Sequence, residues 1–390
     1  MRRTLLVPVA AVALSLGLAA PAQAAPVTKD ANQAAAGWLT TQLKDGERLQ
    51  SSGYDDAGLT IDAVLALDAV GVAGDAAAKA TAWLVKPDSV ANYIGDGTKE
   101  SYAGGHAKLA LLAIAQGKDP ESVGGRKLLT ELAALQEASG RYSDKSEYGN
   151  YSNTFSQSLA VIALQRTPGK APAKAVEFLV GSQCADGAFP QDFAQPTCTG
   201  SVDATGLVVQ ALFAAGKTTE AGKALDWLTG RQQANGGFTS GVAVPDKDNP
   251  VNANSTGNAL AALRAGKRTT AASKATTYLT GLQIGCAGPA DQRGAITFDG
   301  TFTAGKAPRA TAGALFGLAN GSLNTVSNTG ITAAAPSLDC TVPATATPTP
   351  TAGPVLPVTG SPASLLAWAG AAMLALGACT VALARRRRSA

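Results

Sequence analysis

Leucine returns along this chain at a nearly fixed interval. Leu39, Leu84, Leu132, Leu179, Leu228 and Leu279 each close a short stretch of helical periodicity, such as Ala175-Val176-Glu177-Phe178-Leu179 or Ala224-Leu225-Asp226-Trp227-Leu228, and lie 45 to 51 residues apart. A Gly-rich loop follows each one, and then a second, more apolar stretch: Ile61 to Leu67, Leu109 to Ala113, Leu159 to Leu164, Leu207 to Leu212, Ala259 to Leu263 and Ala312 to Phe316. Gly71, Gly117, Gly216 and Gly266 come shortly after four of these, as expected where helices end in the left-handed conformation. A repeat of this length is one supersecondary unit that cannot bury its apolar face alone. Six pairs of one amphipathic and one strongly apolar helix hide the apolar set by closing into two concentric rings. The pattern therefore predicts an all-α fold, an α/α toroid of six helical hairpins over residues 25–322. An open solenoid of helix pairs is the alternative; it would call for polar capping repeats at its ends, and neither the first nor the sixth unit has that character.

Three of the units share a tighter signature. Gln136, Gly140 and Tyr142, then Gln183, Gly187 and Phe189, then Gln232, Gly236 and Phe238 follow the pattern Q-x-x-x-G-x-aromatic, with each Gln four residues beyond the repeating Leu. A Gln at a helix end can bond exposed backbone groups, the Gly permits a tight turn, and the aromatic ring covers the helix pair below. The pattern resembles the repeat of the terpenoid cyclase and protein prenyltransferase family, in which Trp stands where this chain has Tyr or Phe. The resemblance covers nearly the whole repeat region, with degenerate versions in the first, second and sixth units. It implies the toroid and assigns these nine residues a structural role.

The two ends of the chain carry addresses. Arg2 and Arg3 precede an apolar run from Leu5 to Ala20 and then Ala22-Gln23-Ala24, which reads as a signal peptide over residues 1–24. At the other end Leu356-Pro357-Val358-Thr359-Gly360 precedes an apolar segment, residues 363–384, long enough to span a bilayer, and the cluster Arg385 to Arg388. That order resembles an LPxTG sorting signal over residues 356–390. The resemblance implies that a sortase cleaves after Thr359 and joins its carbonyl to peptidoglycan, leaving the protein on the cell wall of a Gram-positive bacterium. Residues 323–355, rich in Thr, Pro and Ala, read as a disordered wall-spanning spacer. Six of the 32 Lys and Arg lie in the segments expected to be removed, whereas all 28 Asp and Glu remain, so the formal +4 becomes about −2 (26 against 28). The basic balance thus belongs to the targeting segments and gives no support to nucleic-acid binding.

Cys379 falls in the apolar tail, leaving Cys184, Cys198, Cys286 and Cys340 in an oxidising exterior. Cys184 and Cys198 flank one loop and are expected to pair; Cys286 with Cys340 would then tie the last unit to the start of the spacer, although three pairings are possible in principle.

The enzymes of the resembled family supply a test. Protein prenyltransferases hold zinc with Asp, Cys and His, but His106 is the only His here and the cysteines are expected to be oxidised, so no metal or other cofactor is expected. Squalene-type cyclases use an Asp-x-Asp-Asp acid; the nearest approach is Tyr54-Asp55-Asp56, which equally suits a helix cap. Aromatic residues make up only 5% of the chain, too few to furnish a cation-guiding cavity beyond the repeat motifs. The Cys-Gly-Glu-Gln of thioester proteins is absent at Cys286-Ala287-Gly288-Pro289 and Cys184-Ala185-Asp186-Gly187. A glycan-cleaving barrel would need two carboxylates among the loop acids Asp144, Glu147, Asp192, Asp203, Asp246, Asp248 and Asp299, and the sequence selects no pair. The weak catalytic candidates are Asp55, Asp56 and His106, the last expected at the start of an inner helix where it could face the central cavity. Cobalamin-transport proteins of the same fold bind a ligand without chemistry. The favoured expectation is therefore a monomeric surface module that binds a small molecule or protein, with a divergent surface enzyme acting on an isoprenoid or a glycan as the alternative.

Overall fold

The computed structural model describes residues 26–242 and 249–341. The described residues up to Cys340 form one compact unit. The signal peptide, Asp246, Asp248, most of the spacer, the Leu356–Gly360 motif and the apolar segment 363–384 lie outside the described residues; among the described ones no helix is long and apolar enough to cross a membrane.

After a two-residue strand, β1 (Val27–Thr28), the chain runs as helix pairs. Outer α1 (Ala31–Thr41) leads through a small hairpin, β2 (Gln50–Ser51) and β3 (Tyr54–Asp55), into inner α2 (Ala57–Val70). Outer α3 (Gly74–Leu84) and α4 (Pro87–Ile94) lead to inner α5 (Ala103–Ala115), and α6 (Leu128–Ala134) to α7 (Thr154–Gln165). The remaining pairs are α8 (Ala173–Gly181) with α9 (Val202–Ala214), α10 (Thr218–Arg231) with α11 (Ala253–Ala265), and α12 (Thr269–Gly281) with α13 (Ala307–Leu318). Each inner helix packs on the next, and α13 packs on α2, so the ring closes. The open solenoid is thereby excluded. The outer helices α1, α8, α10 and α12 each lie against two neighbouring inner helices.

Burial follows the sequence pattern. Inner α9 buries every position from Val202 to Leu212 except Asp203, while outer α10 buries only Ala221, Ala224, Leu225 and Leu228, one stripe at helical spacing. The inner helices approach closely where small residues meet: a Cβ on Gly257 would lie 2.3 Å from the Gly313 carbonyl oxygen, and one on Gly317 2.4 Å from that of Gly257. Any side chain at either position would force α11 and α13 apart.

The repeat motif stitches the outer ring. Gln183 Nε2 donates to the carbonyls of Gly187 (2.9 Å) and of Glu220 in α10 (3.0 Å), and Gln232 Nε2 to those of Gly236 (2.9 Å) and of Ala271 in α12 (2.8 Å). Each Gln thus ties its own turn to the first turn of the following outer helix. The motif glycines Gly140, Gly187 and Gly236 have φ of 94°, 93° and 88°, and a Cβ there would strike the carbonyl of Lys174, Lys223 or Lys274. Glycine is required on both counts. Tyr142, Phe189 and Phe238 are buried, and their backbone N–H groups donate to Gln157, Thr205 and Thr256 of the inner helices, each at 2.9 Å. The sixth unit has the same bonds over a longer loop. Gln283, four residues after Leu279, donates to Gly294 (3.0 Å) and to Ala31 of α1 (2.7 Å), and so closes the outer ring.

Residues 323–340 depart from the expected spacer. They form a strap across the C-terminal ends of the inner helices. Arg166 at the end of α7 donates to the carbonyls of Leu323 (3.0 Å) and Val326 (2.8 Å), Asn328 N–H donates to Ala115 at the end of α5 (3.0 Å), and Thr332 N–H to Gly71 at the end of α2 (3.0 Å). The strap ends in β4 (Ser337–Leu338), parallel to β1, and in the disulfide Cys286–Cys340. Helix C-termini leave carbonyls without intrahelical partners. A polar, aperiodic segment reads as a spacer by composition, yet its N–H groups and amides are what those carbonyls lack. The second disulfide joins Cys184 and Cys198.

Candidate functional site

Inside the inner ring lies a chamber of about 420 Å³. Its walls are layered because each inner helix contributes residues three or four positions apart, one turn of the helix. Near the N-terminal ends of these helices the lining is polar: Asp62, Lys108, Asn254, Asn258 and Arg309. Below come Leu65, Leu111, Leu159, Leu207 and Ala312, and at the bottom Gln210, Phe316 and the strap residue Leu323. Gln210 holds that floor, accepting from Leu323 N–H (3.0 Å) through Oε1, while Asn324 Nδ2 donates to its carbonyl (3.0 Å). The strap therefore closes one end of the chamber, and the other end carries the polar crown.

The crown contains ion pairs. Lys108 Nζ stands 2.7 Å from Asp62 Oδ1, and Arg309 Nη2 stands 2.8 Å from Asp56 Oδ2. Burial opposes the charge on Lys108, but the carboxylate of Asp62 outweighs it and raises the ammonium above its usual range. Asp203 precedes Leu207 and Gln210 on one stripe of α9, but only the last two line the chamber. Its Oδ1 is buried without a hydrogen-bond partner, as is Oδ1 of Asn254. Burial pushes the Asp203 carboxyl up to about 6, against the opposing pull of the Ser255 hydroxyl.

The three weak catalytic candidates are engaged elsewhere. Asp56 caps α2, accepting from Leu59 N–H at 2.8 Å, besides pairing with Arg309. Asp55 accepts from Gln50 (2.7 Å) and pairs with Arg48 (2.8 Å), and these bonds hold it below the usual carboxylate range. Both line a wider cleft of about 690 Å³ on the rim, with Tyr54, Trp83 and Tyr93. The rim cleft is larger than the chamber, but Asp55 and Asp56 within it are already paired with Arg48 and Arg309. His106 does not face the central chamber. It is fully buried, with Nδ1 2.8 Å from the Tyr102 carbonyl and Nε2 3.0 Å from Glu131 Oε2 on outer α6. Against the burial that raises it, Arg126 and His106 pull the Glu131 carboxyl down to about 2. His106 lies two residues before Lys108 on α5, about 200° around the helix, and so faces outward.

Of the loop acids, Asp144 accepts from the N–H groups of Ala103 (2.8 Å) and Tyr151 (3.2 Å), Glu147 and Asp192 are exposed, and Asp299 lies 4.0 Å from Lys306. Asp203 lies on the α9 stripe that continues into the chamber residues Leu207 and Gln210, without lining the chamber itself. Among the described residues no group of three His, Cys, Asp or Glu is placed to hold a metal ion.

No protein-family model matches the sequence, and no curated protein is similar to it. Solved structures are similar in fold. A protein from Actinoplanes is 18% identical with a TM-score of 0.52, the match covering 74% of this chain and 98% of that one. The type II terpene cyclase MstE from Scytonema is similar in two variant forms. One, in complex with merosterolic acid A, is 15% identical with a TM-score of 0.55; the other, in complex with geranylgeranyl dihydroxybenzoate, is 16% identical with a TM-score of 0.54. Each covers 74% of this chain and 95% of its own. The chain has the helical toroid fold of terpenoid cyclases, and at these identities the likeness is one of fold.

Proposed function

We propose that this protein is a ligand-binding module displayed on a Gram-positive cell wall, and that its binding site is the central chamber. The observation that carries the reading is the chamber's layering: a floor sealed by the strap, an apolar body and a polar crown, which suits a small amphipathic molecule held without chemistry. The structural engagement of Asp55, Asp56 and His106 supports it further. The two disulfides fit an exported protein. The signal peptide and the sorting motif at Leu356–Gly360 supply the route to the surface, with a sortase and peptidoglycan as partners and the ordered domain acting as a monomer.

Native mass spectrometry of the chain released from the cell wall tests this reading. A single retained small molecule, lost when Ala312→Trp fills the chamber, is the expected result. Absence of any bound molecule, together with no saturable binding of amphiphiles, would sink it. The second reading, a divergent enzyme acting on an isoprenoid, draws on the likeness to MstE, solved with an isoprenoid substrate. Turnover of such a substrate, abolished by Asp203→Asn in a folded variant, would favour that reading instead.

A further inference from the structure

We propose that the rim cleft of the first two units is a second binding site, and that it takes a short, uncharged oligosaccharide. No described residue lines both this cleft and the central chamber, so the two sites stand or fall separately.

The cleft is built from parts that the ring does not need. On one side is the hairpin of β2 and β3, which no other unit has among the described residues. On the other is α4, which gives the second unit two outer helices where each of the others has one. α4 buries only Val90 and Ile94, and Ser89 and Asn92 line the cleft. Trp83, near the end of α3, and Tyr93 pack against the core and are held in place, whereas Tyr54 stands 81% exposed on the hairpin. A single exposed ring on a surface calls for no explanation. Three rings gathered in one cleft of about 690 Å³, two of them fixed, do call for one.

Unused hydrogen-bonding capacity carries the class of ligand. The hydroxyls of Ser51, Tyr54, Ser89 and Tyr93, the amide of Asn92 and the indole N–H of Trp83 bond no other group among the described residues, and all six residues line the cleft. Elsewhere the comparable groups are engaged: Trp38 donates to the Asp291 carbonyl and Tyr278 to that of Val251, each at 2.9 Å. A pyranose matches this combination. Its C–H faces lie against aromatic rings, and the hydroxyls at its edge both donate and accept. A hydrocarbon chain in the same place would strip water from these groups and return no hydrogen bond. Charge argues against an acidic glycan. Glu47, Asp55 and Asp56 are paired with Lys86, Arg48 and Arg309, and Asp88 has no cation among the described residues. Four carboxylates against three cations leave the cleft one net negative charge, which repels a carboxylated or phosphorylated chain.

Calorimetric titration of residues 26–340, with both disulfides intact, tests the assignment. Maltotetraose, cellotetraose and chitotetraose are the neutral probes and tetragalacturonate the charged one. At least one neutral probe should bind at a single saturable site, and tetragalacturonate at least about tenfold more weakly. Tyr54→Ala removes an exposed ring without opening the core, and should weaken that binding about fivefold or more. Asn92→Ala should weaken it about three- to tenfold. Tyr148→Ala, which removes a tyrosine of similar exposure (71%) outside the cleft, should leave it unchanged. No saturable binding of any neutral probe, tetragalacturonate bound as tightly as the best of them, or equal effects of Tyr54→Ala and Tyr148→Ala would each overturn the proposal, and none of these results bears on the chamber.

Discussion

Replacing Asp68 with Asn should flatten the dependence of folding stability on pH. Asp68 lies near the C-terminal end of α2, 6% exposed, under the part of the strap that is held at Gln116 and Ala115. Its Oδ2 accepts from Gln116 Nε2 at 2.6 Å, and its Oδ1 has no partner. Burial lifts the carboxyl from its ordinary 3.8 to about 7, with the Gln116 bond opposing. A negative charge at a helix C-terminus is unfavourable as well. The folded chain therefore holds this proton more tightly than the unfolded chain. Asp68's contribution to stability is fully present below pH 3.8 and is lost as pH rises through about 7. At about 1.4 kcal/mol per pH unit the whole span amounts to ~4 kcal/mol, and relaxation around the ionised group should leave about 2 to 4 kcal/mol. Urea denaturation of wild type and Asp68→Asn at about pH 5 and about pH 8 reads this directly, because every other titration is shared and cancels in the comparison. The variant should gain on wild type by about 2 kcal/mol or more between the two conditions. Parallel stabilities at both pH values would refute the argument, since they would mean that Asp68 ionises in the folded chain as it does in the unfolded one.

The motif glutamines should differ in worth. Gln232 makes two short bonds that bridge successive outer helices, whereas Gln136 makes one bond of 3.4 Å while Gln157 of the inner helix bonds the Gly140 and Ala175 carbonyls. Thermal melts should show Gln232→Ala costing about 1 to 3 kcal/mol and Gln136→Ala less than about 1; equal losses would contradict the bridging role. Gly187→Ala combines a φ of 93° with a Cβ 2.8 Å from the Lys223 carbonyl oxygen, and should cost about 1 to 3 kcal/mol. Gly181→Ala, where nothing stands within 4 Å, is the control and should be close to neutral or slightly stabilising in the same melts.

Much of the toroid is legible in the sequence because its inner helices are apolar on every side and its outer ones on a single stripe, a contrast that survives without an alignment. The motif was legible only where its loop kept a fixed length. Gln283 stands at the same four-residue distance from Leu279 as its counterparts do from theirs, but ten residues separate it from Gly294, so a fixed pattern passes over it. Extending the search from the leucine rather than from the glycine would have found it. The strap was hidden for a different reason: composition reports whether a segment can bury an apolar face, and this one is held by bonds to helix ends that exist only after the rings have closed. His106 shows the limit of position along a helix as a guide to direction. Lys108, two residues on, reaches the chamber and His106 meets Glu131 of the outer ring, because two residues turn a helix through about 200°.

Asp203 carries the same lesson into the site. It stood among seven loop acids with no feature to single it out, and what distinguishes it is relational. Its stripe continues into Leu207 and Gln210, which line the chamber, the cations of the crown are bound to other carboxylates, and one of its oxygens is buried without a hydrogen-bond partner. None of these is a property of the residue or its neighbours in sequence. Each depends on which helices the ring places side by side. A toroid can therefore keep its repeat while its specificity changes by one residue on one inner helix, since the motif that holds the ring together lies in the turns and the outer helices, and the crown lies on the faces the motif never touches.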